Sequence, residues 1–519
     1  MRTLKRWLLA GCALLPVALA PASHAADVQG SPTATLIYFD AVNNMTIDPR
    51  EPQNNSSFAQ GPLMAIFDAL VYLNEAGEPK PGLAESWSYN ADLTEITLKL
   101  RKGVTFHDGA KFDAAAVATN FERATALGLK AGFAVYDTMN QIASVDIRDE
   151  HTITLKLKTP NGQLPYLLGS QAGMMISPAS VAGDAFGSSF KPVGAGPFRV
   201  RSFESTQRTI MDRYDGYWGG TAGRPAAIEH HFVPDGRARL NAVRSGQANL
   251  ALIDPRLINE AKGAGFAVQV NEKNSTWDIY LNVKRDNIGR LKMRQAFMHA
   301  MDREALADAL GYGASKPTAQ LFAQSSPMYD AALDKMYPFD QKKAKALLTE
   351  AGYPNGVDVN WVLLNTTEYK QLAEAVQAMM AEVGIRIKFD IVDVSQYITF
   401  RRPPTRGDIM MARWGGRPDP LQAFQEVTGT GGSVNAGDAA SPEIDALIDK
   451  AKRLDPADPA RMVVLKQLAR LTTELAAHFG IMTRSNVYAF KPGCVGGIPA
   501  YLPTGNDRIN DVRVGDKCK

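Results

Sequence analysis

His230 and His231 stand side by side and are the residues in this chain that most invite metal chemistry. They fall in an extended run, Ile228–Val233, where neighbouring side chains point to opposite faces, so the two cannot readily share one ion. Structural roles are expected for both. His107 precedes Asp108-Gly109, a pair that favours the positive φ of a tight turn, and a turn-stabilising role is expected there. Asp419 lies alone between Pro418 and Pro420, so no carboxylate pair for acid–base work can be argued in that loop. The chain has no HExxH, no G-x-S-x-G, no phosphate loop and no G-x-G-x-x-G after a strand. It has no CxxC or Cys/His zinc spacing either. Catalytic residues, a metal and a cofactor are therefore not expected. Binding chemistry is concentrated instead in Ala412–Pro420 (ARWGGRPDP), where a Trp-Gly-Gly turn after the strand Ile409–Ala412 brings backbone close to whatever a cleft holds.

The elements around that loop are well marked. Val357–Leu364 is strand-like, and in Glu368–Val383 the residues Leu372, Val376, Met379, Met380 and Val383 share one helical face. Gly384 ends the helix, and Ile385–Val392 alternates apolar with charged residues; strand, helix and strand at this spacing make a βαβ unit with parallel strands. Helices are also predicted over Lys292–Met301, over Asp302–Leu310 capped by Asp302, and over Gln341–Ala351 capped by Asp340. Another begins at Ser441-Pro442, and a long amphipathic helix is predicted over Pro459–Phe479. The first half is richer in strands: Thr35–Phe39, Thr94–Leu100, Thr152–Leu157, Phe198–Phe203, Arg208–Asp212 and Ile228–Val233. Val104–His107 reads as a further short strand, and Asp113 as the cap of a helix over Ala114–Arg123. Met174 and Met175 are expected to fill a core gap.

The first 25 residues read as a secretory signal. Arg2, Lys5 and Arg6 form its basic region, Trp7–Ala22 is apolar, and Ser23-His24-Ala25 offers small residues before a cleavage after Ala25. A retained anchor is the alternative, disfavoured by Pro16 and Pro21 and by the short apolar run. Lipidation at Cys12 is another alternative, although only five residues separate it from Arg6. Removal of the signal leaves 54 basic against 54 acidic residues, so no clustered charge points to a nucleic acid or membrane-surface partner. Two cysteines remain, Cys494 and Cys518, and an exported, oxidising setting predicts a disulfide between them. At this length the chain divides into two or three domains.

Pro81–Arg123 (PGLAESWSYNADLTEITLKLRKGVTFHDGAKFDAAAVATNFER) resembles the signature segment of bacterial extracellular solute-binding proteins of family 5, the peptide, opine and nickel class of ABC-importer receptors. Further stretches match in order. Gly194-Ala195-Gly196-Pro197-Phe198 and Tyr217-Trp218-Gly219-Gly220 resemble the family's "GTGPY/F … YWGG" stretch. Pro234-Asp235-Gly236-Arg237-Ala238-Arg239 resembles "PD-x-x-A-R", Met293–Ala296 and Met301–Arg303 resemble "V-R-Q-A … I-D-R", and Lys343–Gly352 resembles "KAKALLAEAG". Each motif is weak alone; the ordered set covers nearly all of the exported chain.

The resemblance implies an α/β, two-lobed periplasmic binding protein fold with a hinge and an extra subdomain inserted in the first lobe. It implies a first lobe of residues 26–57, 186–283 and 486–519, an insertion of 58–185 and a second lobe of 284–485. It further implies a monomer that captures a small-molecule or peptide-like ligand and delivers it to an ABC permease in the inner membrane. A secreted hydrolase and a metal-chelate binding or sensing protein are the alternatives. In the family Trp414 often lines the cleft, and peptide-binding relatives place an aspartate shortly after that tryptophan to pair with the ligand's ammonium. Here Arg417 stands at the corresponding place, and a guanidinium favours a carboxylate or phosphate. The stretch Asn365–Tyr369 lacks the arginine with which dipeptide-binding relatives hold the carboxylate. Asn365, Tyr369, Trp277 and Asn435 complete the expected ligand-binding set, and a small polar or anionic solute is favoured over a dipeptide held in the usual way.

Overall fold

The computed structural model describes residues 28–41, 46–51, 60–126, 134–181, 192–401, 406–498, 501–502 and 508–518. The signal segment and Cys12 lie outside the described residues.

One long sheet runs through the molecule. Its strands lie in the order Ile385–Val392, Val357–Leu364, Ile409–Gly415, Ala267–Leu281, His478–Phe490, Leu250–Ile253, Thr35–Asp40, Ala227–Phe232, Arg208–Arg213 and Phe198–Glu204. The expected βαβ unit is there: Val357–Leu364 and Ile385–Val392 pair in parallel, joined by the helix Thr367–Ala381. Ile409–Gly415 pairs in parallel with Val357–Leu364, so three strands end at the same edge. The insertion has its own antiparallel sheet, ordered Ala84–Tyr89, Glu95–Leu100, Thr152–Leu157 and Ile142–Asp149, and packs the helix Ala114–Ala126 against Ile96, Leu98 and Ile153.

The two strands that join the halves of the sheet differ from the sequence-based expectation. So do Leu250–Ile253, Ala84–Tyr89 and Ile142–Asp149, for which no strand was predicted, and Ile409–Gly415, which runs past Ala412 so that Trp414-Gly415 lie in the strand and not in a turn. Ala267–Leu281 had no strand signal of its own, because its middle, Asn271–Thr276, is polar throughout. The helix predicted over Pro459–Phe479 ends at Leu475, where Ala476 turns into the left-handed region at φ 48°, and the chain continues as the strand His478–Phe490. The apolar residues Phe479 and Ile481 extended the helical pattern while belonging to the strand. Val104–His107 is likewise no regular strand: Thr105 makes one isolated bridge to Lys111, around a tight turn with Gly109 at φ 85°.

The motifs that carried the family resemblance are scaffold. Trp218 Nε1 donates to Asp68 at 2.6 Å and Tyr217 donates to the same carboxylate at 3.3 Å, while Arg101 stacks 4.1 Å from the Trp218 ring. Asp235 caps the helix Gly236–Ser245, and buried Arg239 donates to the carbonyls of Val233 and Pro234. Arg294 and Arg303, both buried, tie helix ends to the carbonyls of Leu475 and Gly480. Met174 and Met175 are buried in the core, as expected. His230 is buried and bonded to Asp40 at 3.0 Å, whereas His231 leans on Phe39 and reaches Glu229, on the opposite face. His107 bonds the carbonyl of Gly196 at 2.9 Å. Cys494 and Cys518 form a disulfide that fastens the last described residues to the body.

Candidate functional site

The two joining strands, Ala267–Leu281 and His478–Phe490, run antiparallel and in register from Ala267 opposite Phe490 to Glu272 opposite Ser485. The register then breaks and resumes with Thr276 opposite Thr483, so Lys273, Asn274 and Ser275 all stand across from Arg484. Such an irregularity bends a strand and re-aims side chains. The polar run at the break is nonetheless buried: Asn271, Lys273, Asn274, Ser275 and Thr276 all lie within. Buried polar groups must find partners, and Ser275 donates to the carbonyl of Trp414 while Asn274 accepts from the amide of Ala323.

Strand alternation sorts the candidate residues onto two faces. On one face Trp277 stands directly opposite Arg413. Trp277 meets Tyr369 edge-on with ring centroids 5.0 Å apart, and Tyr369 meets Tyr397 in the same manner at 5.9 Å. Two guanidinium groups lie over this aromatic cluster: Arg484 is 5.4 Å from the Trp277 ring centre and Arg413 is 6.0 Å from that of Tyr369. Arg413 is 3.8 Å from Glu368, and Arg484 is 3.5 Å from the Ser275 hydroxyl. Burial, followed by the like charge of Arg413, lowers the pKa of Arg484 to about 10. Asn365 is exposed at the carboxyl end of the strand Val357–Leu364, beside this cluster in sequence and one turn before Tyr369.

Trp414 faces the other way, opposite Thr276, into a buried cluster with His478 at 5.6 Å and with the His478–Asp278 pair at 2.8 Å. Arg417 stacks 4.4 Å above Trp414, but its fork is engaged: Nε and Nη2 donate to the two oxygens of Glu426 at 2.7 and 2.5 Å, and Nη1 to the carbonyl of Gly415. Burial works to lower its pKa, and the charge and hydrogen bonds of Glu426 together outweigh that. Arg417 thus does not present the open guanidinium that the sequence suggested. Its geometry props Trp414 and clamps the helix Pro420–Val427. Asp419 caps that helix and pairs with Arg461 at 2.5 Å, both fully enclosed. Asn435 is buried with its amide donating to the Gly429 carbonyl and its oxygen accepting from Ala439, which holds the glycine-rich loop together.

Of the six expected residues, the fold brings Trp277 and Tyr369 together on one face and Trp414 and Arg417 together on the other, leaves Asn365 exposed at a strand end and uses Asn435 to hold the glycine-rich loop. Arg413 and Arg484 were not singled out from the sequence. The signal that bore on Arg484 was the polar patch Thr483–Asn486 between two apolar runs, which reads as noise until the segment is known to be a crossing strand. Parallel strands that end together make their carboxyl edge the usual place for a ligand, and Asn365, Val392 and Gly415 mark that edge here.

The chain belongs to the family of bacterial extracellular solute-binding proteins, family 5 (Middle), whose model matches residues 78–435. It is thereby a solute-binding component of an ABC importer. Among similar proteins, the glutathione-binding protein GsiB of Salmonella paratyphi A is 27% identical over 394 residues, covering 75% of this chain and 74% of that protein. GsiB of Escherichia coli K12 is 29% identical over 359 residues, covering 68% and 69%. Among solved structures, NikA of Brucella suis in complex with Fe(III)-EDTA superposes with a TM-score of 0.78 at 25% identity, over 91% of this chain and 99% of that one. AgaA of Agrobacterium tumefaciens R10 with agropinic acid gives 0.75 at 25% identity, over 92% and 98%. No helix among the described residues is long and apolar enough to cross a membrane.

Proposed function

We propose that this chain captures a small, polar, peptide-like solute bearing carboxylate in the periplasm and presents it, enclosed between two lobes, to an inner-membrane permease. The signal would be cleaved after Ala25, and the exported chain would act as a monomer, by binding rather than by catalysis. The lobes are proposed as residues 26–57, 186–283 and 486–519 for the first and 284–485 for the second, with 58–185 inserted in the first. Two buried clusters, one within 277–482 and one within 70–195, follow the second lobe and the insertion approximately, with Trp277–Leu281 and Ala195 crossing the proposed bounds.

One observation carries the proposal: the register break at Lys273–Ser275 and Arg484 sits between the halves of the sheet, beside the aromatic cluster of Trp277, Tyr369 and Tyr397. A break in the two connecting strands is where hinged closure bends least expensively. Aromatic walls with a few placed polar groups are what a solute pocket needs. The relatives similar to this chain are named for glutathione, and the neighbours hold agropinic acid or Fe(III)-EDTA, each of which bears at least one carboxylate.

The test is a thermal-shift screen of the exported chain against glutathione, short peptides, opines, neutral sugars and metal chelates, with recovery of the solute by mass spectrometry. A bound solute at 100 times Kd stabilises by about 2.7 kcal/mol. A carboxylate-bearing organic solute that binds and is recovered intact is the expected result. A hydrolysed solute, or binding of a metal chelate alone, would replace the proposal with one of the other readings.

A further inference from the structure

We infer that Arg484 and Arg413 together form the carboxylate anchor of this binding protein, the role that the sequence had suggested for Arg417. This deepens the proposed function and depends on it. The geometry is specific. Arg413 is directly opposite Trp277 on the neighbouring strand, and Arg484 is on the same face from the other crossing strand, so two guanidinium groups converge over one aromatic cluster. Like charges this close repel, and the repulsion is one reason the Arg484 pKa is lowered. A fold tolerates such convergence more easily where an anion enters to sit between the two forks, and a carboxylate matches a guanidinium fork in shape as well as in charge.

The neighbouring charges fit this. Glu368 lies 3.8 Å from Arg413 and is exposed, so an incoming carboxylate would compete with a solvent-screened ion pair there. The Ser275 hydroxyl, 3.5 Å from Arg484, is fixed by its own bond to the Trp414 carbonyl. Arg484 is also at the register break itself, so a ligand held by it joins the two halves of the sheet at the point about which they would move. Arg417, by contrast, is committed to Glu426 and acts on the site only through Trp414.

The experiment is calorimetry with matched probes: glutathione, the tetrapeptide Ser-Thr-Ser-Ala and an opine, each beside its amidated counterpart, and a neutral sugar. The wild type should bind at least one carboxylate probe about tenfold or more tighter than its amide. Arg484→Gln should abolish that preference, Arg413→Gln should reduce it, and Arg484→Lys should restore part of it. Arg417→Gln should weaken a carboxylate and its amide by the same factor. Circular dichroism and unfolding midpoints check that the variants fold; Arg413, with 42% of its side chain exposed, supplies the variant least exposed to folding failure. Equal binding of acid and amide by the wild type, or a preference that survives in Arg484→Gln and Arg413→Gln, overturns the anchor and leaves solute binding standing. Binding of the sugar alone also overturns it. Failure of every probe to bind overturns the proposed function, and the anchor falls with it.

Discussion

Asp68 shows how a residue away from the candidate site ties the scaffold together and leaves a measurable trace. It sits half-buried between the indole N–H of Trp218 and the hydroxyl of Tyr217, and burial raises its pKa to about 7 although both donors work to lower it. Since the folded carboxyl holds its proton to higher pH than the unfolded one, the folded state binds more protons between about pH 4 and pH 7. Stability contributed by this group therefore falls as pH rises through that window, by up to about 1.4 kcal/mol per pH unit. Urea unfolding of the wild type and Asp68→Asn across pH 4 to 8 should show a difference that changes with this slope. Parallel curves would refute it. The motif Tyr217-Trp218-Gly219-Gly220 was legible in the sequence, but its partner was not, since Asp68 lies about 150 residues away and only packing brings them together.

At the scale of elements, local signals worked wherever the periodicity was clean. The caps at Asp113, Asp302, Asp340 and Ser441 all accept the backbone amides that their positions predicted, and the parallel pair was readable because helix and strand each buried one face. The two joining strands were not readable, because each carries a polar, largely buried stretch between apolar runs and so shows no single period. The C-terminal strip is a further element-scale case. The Cys494–Cys518 disulfide closes a loop of 24 residues, and by the chain-entropy account its reduction should cost about 3 kcal/mol. Denaturation with and without reductant, compared with Cys494→Ser/Cys518→Ser, measures this; a midpoint indifferent to reductant would remove the staple from the account.

For the whole molecule, the insertion touches the far half of the fold directly. The Gly162 amide donates to the carbonyl of Lys452 at 2.7 Å, Gln163 bonds Gln425 at 3.2 Å, and Arg461, held by Asp419, lies 5.4 Å from the Tyr166 ring. A Cβ on Gly162 would fall 2.2 Å from the carbonyl oxygen of Leu454, closer than any real contact. Gly162→Val should therefore keep the two parts from seating. The expected outcome is an affinity for the wild-type solute weakened about tenfold, with a radius of gyration by X-ray scattering that no longer contracts when solute is added. Contraction and affinity equal to wild type would show that this contact does not govern closure.

The sequence by itself determined the class of fold, the family, the parallel unit of the second half and the absence of familiar catalytic motifs, because these depend on local periodicity, capping and ordered short motifs. Tertiary structure decided which candidate side chains meet. Trp277 and Trp414 look alike in the chain, yet strand alternation sends one toward Tyr369 and the two arginines and the other toward His478 and Asp278. Arg417 looks like an open cation until Glu426, one helix away, closes its fork. Charge partners are chosen by proximity in space, and no spacing along the chain encodes it.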